Sequence, residues 1–240
     1  MLQPHGRVIA PDLRGHGDSD WIGPGGYYHF MDYVADLDDV IRQLAHGRIV
    51  LVGHSMGGSV CGYYAGVRPE RIAALVLVEG LGPPDLMGGE GPTRTAAWID
   101  AWRTARSKLK PMASLDDAVA RLKKHDERVD DTLARKLAGF ATKPAPHGAG
   151  LVWKHDPLHA TFGPYAYRLE TAKKYWERIP CPVLAIDGAQ SQMNLSAEER
   201  ASRRATFKDI RHLVIDGAGH ALQRHQPQQL AAAIIEHAAR

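Results

Sequence analysis

The sequence is poor in cysteine: its 240 residues hold two, Cys61 and Cys181, each within or beside an apolar segment. That excludes a disulfide framework and leads us to expect buried free thiols in a reducing compartment. No apolar run approaches the roughly 20 residues of a membrane span. The opening Met1-Leu2-Gln3-Pro4-His5-Gly6-Arg7 lacks the hydrophobic region of a signal peptide. A soluble, cytoplasmic protein with no membrane partner is therefore expected. Excess charge is lacking as well, since 30 Lys+Arg against 27 Asp+Glu leave a formal +3. With no basic stripe and no nucleic-acid-reading motif, no nucleic-acid partner is expected. Metal-ligand spacing such as H-E-x-x-H is absent, so neither metal nor organic cofactor is expected. Internal repeats and low-complexity tracts are missing too.

What is present suits one sizeable core with room for an inserted subdomain. Gly6–Ala10 (Arg-Val-Ile-Ala after the glycine) reads as a buried strand, and a glycine-punctuated loop follows from Pro11 to Asp20. Met31–Leu44 predicts a helix, with Tyr33, Val34, Leu37, Val40, Ile41 and Leu44 at helical spacing and Gly47 as its stop. Ile72–Val78 reads as a strand, and so do Pro182–Asp187 and Ile210–Ile215. Ser196 to Glu199 forms a capping-box pattern for a helix reaching about Phe207, and Pro227–Ala239 predicts a closing helix. Buried, non-alternating strands between helices indicate a parallel α/β sheet. From about residue 83 to 178 no core strand is legible. Helical stretches are predicted there at Thr95–Lys108, Ser114–Lys124 (with Ser114 and Asp117 as a capping box) and Asp130–Phe140, with a Pro/Gly break at Lys143–Gly150.

The centre of the pattern is Arg48-Ile49-Val50-Leu51-Val52-Gly53-His54-Ser55-Met56-Gly57-Gly58-Ser59. It is a G-x-S-x-G nucleophile elbow in the context such an elbow needs: strand, sharp turn, then a small-residue helix to about Val67. Gly53 and Gly57 are expected where a Cβ would collide with neighbouring backbone. Ser55 is the candidate nucleophile. Among thirteen histidines, His220 stands out, because Gly217-Ala218-Gly219-His220 directly follows an apolar strand and lets the loop fold back. His46, His125, His147 and His237 read as solvated. Trp98, Trp102 and Trp176 read as core of the helical segment, and Trp153-Lys154-His155-Asp156-Pro157 as lining for a pocket roof or as a solvated loop with one anchoring tryptophan.

Asp12-Leu13-Arg14-Gly15-His16-Gly17-Asp18-Ser19, the elbow and the histidine loop, in that order, resemble the α/β-hydrolase superfamily. The likeness lies nearest the small serine hydrolases with a helical cap, and covers residues 6–82 and 179–240. It implies an α/β-hydrolase fold with a mostly parallel sheet. The core would be 1–82 and 179–240, and 83–178 an inserted helical cap. The first three strands of that fold would lie upstream of Met1, which we expect to be a mis-assigned or truncated start. If the chain truly starts at Met1, weak or absent activity is expected.

The resemblance implies Ser55 as nucleophile, His220 as general base and the Met56 N–H as one oxyanion-hole donor. The second donor would come from a His-Gly loop after the third strand, upstream of this sequence. The acid departs from the commonest pattern, because Asp187-Gly188-Ala189-Gln190-Ser191-Gln192 leaves the usual carboxylate position empty. Glu79, directly after Ile72–Val78, is preferred, since some haloalkane dehalogenases carry their acid at that strand end and a carboxylate ending an apolar strand needs a partner. Asp187 is the alternative and Asp85 a distant third. Accepting loop N–H bonds is the structural reading of Glu79, and loop hydrogen bonding that of His16 and Asp18. The implied activity is hydrolysis of a carboxylic ester-like bond of a small molecule through an acyl-enzyme. Carbon–carbon bond hydrolysis, a cofactor-free haloperoxidase or an inactive binding protein are the alternatives, and Ser at 55 argues against a dehalogenase.

Overall fold

The structure is a computed structural model that describes residues 1–240 apart from Gly88, His147, Met193 and Asn194; the expectation for His147 lies outside the described residues. In chain order the elements are α1 (Phe30–Leu44), β1 (Ile49–His54), α2 (Met56–Val67), β2 (Ile72–Val78), α3 (Gly91–Thr104), α4 (Leu115–His125), α5 (Asp131–Ala141), β3 (Thr142–Pro144), β4 (Leu151–Trp153), α6 (Leu169–Trp176), β5 (Val183–Gly188), α7 (Ala197–Arg204), β6 (Ile210–Ile215), α8 (Leu222–His225) and α9 (Pro227–Ala238). They form two compact units: Met1–Ala10, Phe30–Met87 and Ala166–Arg240 in the first, Pro11–His29 and Gly88–Tyr165 in the second.

The first unit holds a four-stranded sheet in the order β1-β2-β5-β6, and every pairing is parallel. The expected continuous burial holds for the central strands β2 and β5. It does not hold for the edges: Val50 and Val52 of β1, and Leu213 and Val214 of β6, are exposed. A central strand has a neighbour on each side and layers on both faces, whereas an edge strand lacks one neighbour. Val76, Val78, Leu184, Ile186 and Ile215 pack with Ala218, Leu222, Leu230 and Ile234 from the segments beyond β6. Each Val, Leu or Ile side chain among them contributes about 1.5–3 kcal/mol when fully buried, as an upper estimate.

The strand expected at Gly6–Ala10 is not formed; Val8 and Ile9 are 49% and 38% exposed. Their β-branched side chains favour a strand only where a neighbour accepts and donates the ladder bonds, and this segment pairs with none of the described strands. His237 is buried rather than solvated, its Nε2 lying 3.2 Å from the Pro182 carbonyl. Trp176 packs in this first unit, stacked on Phe207. Cys61 and Cys181 are buried and free, and burial pushes the Cys61 thiol up to about 12.

Arg203, wholly buried near the end of α7, ties this unit at several points. Its guanidinium donates to the carbonyls of Leu81, Gly82 and Pro83 at 2.6, 2.8 and 2.9 Å. It pairs with Glu199 one turn earlier. Arg203→Met would strand those carbonyls and leave Glu199 without its cation, a loss of about 3–5 kcal/mol. The unfolding midpoint, read by scanning calorimetry, is expected to fall on the order of 10 °C.

The second unit is mainly helical, with α3, α4 and α5, but it also carries a β3–β4 antiparallel ribbon that the sequence pattern did not reveal. Those strands are three residues each, too short for an alternation to register. The Ser114–Asp117 capping box is present. Asp156 is fully buried and accepts from Tyr28 Oη at 2.9 Å and Arg106 Nη2 at 2.6 Å. Trp98 and Trp102 stack on each other, and Trp102 donates to the Gly26 carbonyl. His16 and Asp18 make loop contacts here: the Asp18 N–H donates to Asp12 Oδ2, its carboxylate pairs with Lys154, and the His16 ring lies 4.0 Å from that of His159.

Burial, aided by neighbouring His16, pushes His159 down to about 4. Unfolded, the same imidazole takes its proton near 6.5. The unfolded chain therefore binds more protons below that value. The neutral ring's contribution is complete above about pH 6.5 and is lost as the pH falls toward 4. Thermal melts across this window should show a declining midpoint, and His159→Phe should flatten that decline.

Candidate active site

The catalytic candidates Ser55, Met56, Glu79 and His220 and the alternative acids Asp187 and Asp85 lie in the first unit, whereas Trp153, Lys154 and His155 lie in the second. β1 carries the chain to His54 and the backbone then reverses at Ser55, which takes φ 53 and ψ −121. A non-glycine residue pays about 1–3 kcal/mol for such a conformation. Surrounding bonds hold it there: the Ser55 N–H donates to the Val78 carbonyl at 2.9 Å, and the Ser59 N–H to the Ser55 carbonyl at 3.2 Å. The elbow's tight packing rests on Gly53 and Gly58. A Cβ on Gly53 would lie 2.4 Å from the Gly57 carbonyl oxygen, and one on Gly58 would lie 2.5 Å from the Gly80 Cα. The expectation for Gly57 is corrected, since a Cβ there would meet nothing within 4 Å. The close approach is made one residue later, where α2 passes the chain leaving β2.

That chain begins with Glu79, whose φ of 49 is also left-handed. Its N–H continues the ladder to the Ile186 carbonyl at 2.8 Å. The carboxylate is buried and held on both oxygens: the Gly188 N–H donates to Oε1 at 2.7 Å and the Ser191 hydroxyl to Oε2 at 2.9 Å. The same Oε2 lies 3.5 Å from His220 Nδ1. On the other side of the imidazole, His220 Nε2 is 2.9 Å from Ser55 Oγ. With the ring proton on Nδ1 toward Glu79, Nε2 is free to accept from the serine hydroxyl. The structure thus places the His220 imidazole between Ser55 and Glu79.

Asp187 is turned elsewhere. Its Oδ2 lies 2.8 Å from His212 Nε2 and 3.6 Å from Arg200 Nη1, so it ties β5 to β6 and α7. Asp85 accepts the Leu169 N–H at 2.8 Å at the start of α6. Met56 is the first residue of α2; its N–H belongs to the helix-start donors that have no intrahelical acceptor. Among the described residues no group of three or more His, Cys, Asp or Glu is arranged to hold a metal ion. No helix among them is long and apolar enough to cross a membrane.

Three contributors were not legible beforehand. Ser191 is a lone loop serine, and nothing about the residues around it distinguishes it. His54 and His225 look like any other histidine. Yet His54 Nε2 lies 2.7 Å from the His220 carbonyl oxygen, and the Gly219 N–H donates to His225 Nδ1 at 3.0 Å. The elbow motif did place His54 beside Ser55, and that adjacency was the available signal.

A family model described as alpha/beta hydrolase fold matches residues 2–224. A serine hydrolase-like protein of Danio rerio is 40% identical over 82 residues, which cover 34% of this chain and 25% of that protein. A 3-hydroxybutyrate-oligomer hydrolase of Cupriavidus necator is 28% identical over 95% of this chain and 78% of its own length. Among solved structures, the thioesterase domain from the curacin biosynthetic pathway is similar at a TM-score of 0.82 and 25% identity, covering 98% of this chain and 82% of that one.

Proposed function

Because the chain belongs to the alpha/beta hydrolase fold family, we propose that it is a serine hydrolase that cleaves a carboxylic ester-like bond of a small molecule through an acyl-enzyme. Ser55 Oγ attacks the carbonyl carbon while its proton passes to His220 Nε2. Glu79 holds the proton on Nδ1 and stabilises the imidazolium that forms. The oxyanion forms beside the Met56 N–H at the start of α2. Collapse of the tetrahedral intermediate expels the alcohol, which takes the proton from His220. Water, deprotonated by the same imidazole, then releases the acid and restores Ser55. Residues 83–178 are, in this reading, the inserted cap, with α6 at its end packing in the first unit.

The observation that carries the reading is the 2.9 Å approach of His220 Nε2 to a serine hydroxyl held on a strained turn. Relatives named as hydrolases support it at the level of reaction class. The test is turnover of short-chain p-nitrophenyl esters together with intact-mass analysis after treatment with a fluorophosphonate. One adduct per chain, mapped to Ser55, and saturable release of p-nitrophenol are expected. No adduct and no turnover above the buffer rate would overturn it.

A further inference from the structure

The loop that carries His220 is gripped from two sides by histidines that take no part in proton transfer. On one side stands His54, the last residue of β1 and the one immediately before Ser55. Its Nε2 is 2.7 Å from the carbonyl oxygen of His220 itself. A carbonyl oxygen can only accept, so Nε2 of His54 carries a proton. The two imidazoles lie side by side, with ring centroids 4.8 Å apart. On the other side stands His225, at the end of α8. Its Nδ1 accepts the Gly219 N–H at 3.0 Å, so Nδ1 of His225 carries no proton. One histidine donates to the residue that bears the base, and the other accepts from the residue before it.

We propose that His54 and His225 are positioning residues that set where the His220 ring stands relative to Ser55. The proposal rests on the reading of His220 as the general base. Its physical content is a shared reference point: the nucleophile and the anchor of the base's backbone are consecutive residues at the end of one strand. A displacement of β1 therefore moves both partners of the dyad together. The His225 bond fixes the second degree of freedom, rotation of the loop about its contact with His54. A third tie, the Gln190 N–H to the Ala218 carbonyl at 2.9 Å, joins the same loop to the segment whose Gly188 and Ser191 hold Glu79. Burial lowers the His54 pKa, while its hydrogen bond to the His220 carbonyl acts in the opposite direction.

The test is the second-order rate of fluorophosphonate labelling of Ser55 in matched pairs of variants of the whole chain. Gln places an amide nitrogen close to where His has Nε2, and Asn places a carbonyl oxygen close to where His has Nδ1. His54→Leu and His225→Leu are each expected to slow labelling about tenfold, part of the roughly 10²–10⁴ that a well-placed general base contributes. His54→Gln and His225→Asn should recover at least half of that loss on a logarithmic scale. Because both histidines hold one loop, the double Leu variant should lose less than the product of the single losses. Leu variants within twofold of wild type, or Leu and amide variants that fall equally, would overturn the proposal. If one Leu variant fails to fold, as judged by circular dichroism, the other pair decides by the same criterion. His220→Ala is run alongside: wild-type labelling in that variant would remove the base assignment itself, whereas its loss with unaffected His54 and His225 variants would remove only the positioning roles.

Discussion

Ser55→Ala is expected to abolish fluorophosphonate labelling and to lower ester turnover by about 10⁴–10⁶, the range seen when a serine nucleophile is removed. The fold should survive this change. Alanine keeps the Cβ that already fits the turn, and the backbone bonds at this position, from the Ser55 N–H to Val78 and from the Ser59 N–H to the Ser55 carbonyl, do not involve the side chain. Only the hydroxyl facing His220 is lost. The unfolding midpoint should therefore move little while activity disappears. Ser55→Gly provides the complementary measurement. It removes the penalty of a left-handed φ of 53, so it should be equally inactive but no less stable than the alanine variant. Residual labelling of Ser55→Ala at more than a few per cent of the wild-type rate would identify another nucleophile and end the proposed mechanism.

Glu79→Gln is expected to lower kcat/KM by about 10²–10⁴, as loss of the orienting carboxylate does in serine hydrolases generally. The substitution is nearly isosteric, so the Gly188 N–H keeps an acceptor if the amide oxygen occupies the Oε1 site. What is lost is the negative charge beside His220 Nδ1. Without it the imidazolium formed during attack is less favourable. Asp187→Asn is the matched control. Its carboxylate faces His212 and Arg200 rather than His220, so activity should stay within about threefold and the cost should fall on stability, about 1–3 kcal/mol. A crippled Asp187→Asn beside an active Glu79→Gln would reverse the assignment. Near-wild-type rates in both would discard a carboxylate-assisted His220 altogether.

Much of this molecule was legible in local pattern. The strand Ile72–Val78 and the strand Ile210–Ile215 have the bounds their apolar runs suggest. α1 follows its helical spacing, and both capping-box serines, Ser114 and Ser196, accept the expected backbone N–H. Ser55 was legible because an elbow needs glycines at short range, and short-range geometry is written in consecutive residues. His220 was legible for a similar reason, through the glycines that precede it.

The misses share another cause. Gly6–Ala10 has the composition of a strand, but a strand exists only with a partner, and partnership is not a local property. His237 looked solvated because a single polar letter in a helix does not say which way the helix will turn. Gly57 was credited with the close contact that belongs to Gly58 because the motif marks where small residues stand and not which of them meets Gly80.

By itself, then, the sequence singled out Ser55 and His220 as candidates, the strands that lead to them and the alternation of strand and helix, since each depends on residues a few positions apart. Only the tertiary structure decided which carboxylate faces His220. Glu79 was preferred on the family resemblance, since Glu79 and Asp187 both end apolar strands and their local surroundings do not separate them. They differ because the backbone at Glu79 takes a left-handed turn that leaves its carboxylate between the Gly188 N–H, the Ser191 hydroxyl and His220, while Asp187 meets His212 and Arg200. That choice depends on bonds between residues more than a hundred positions apart. No window on the sequence contains them.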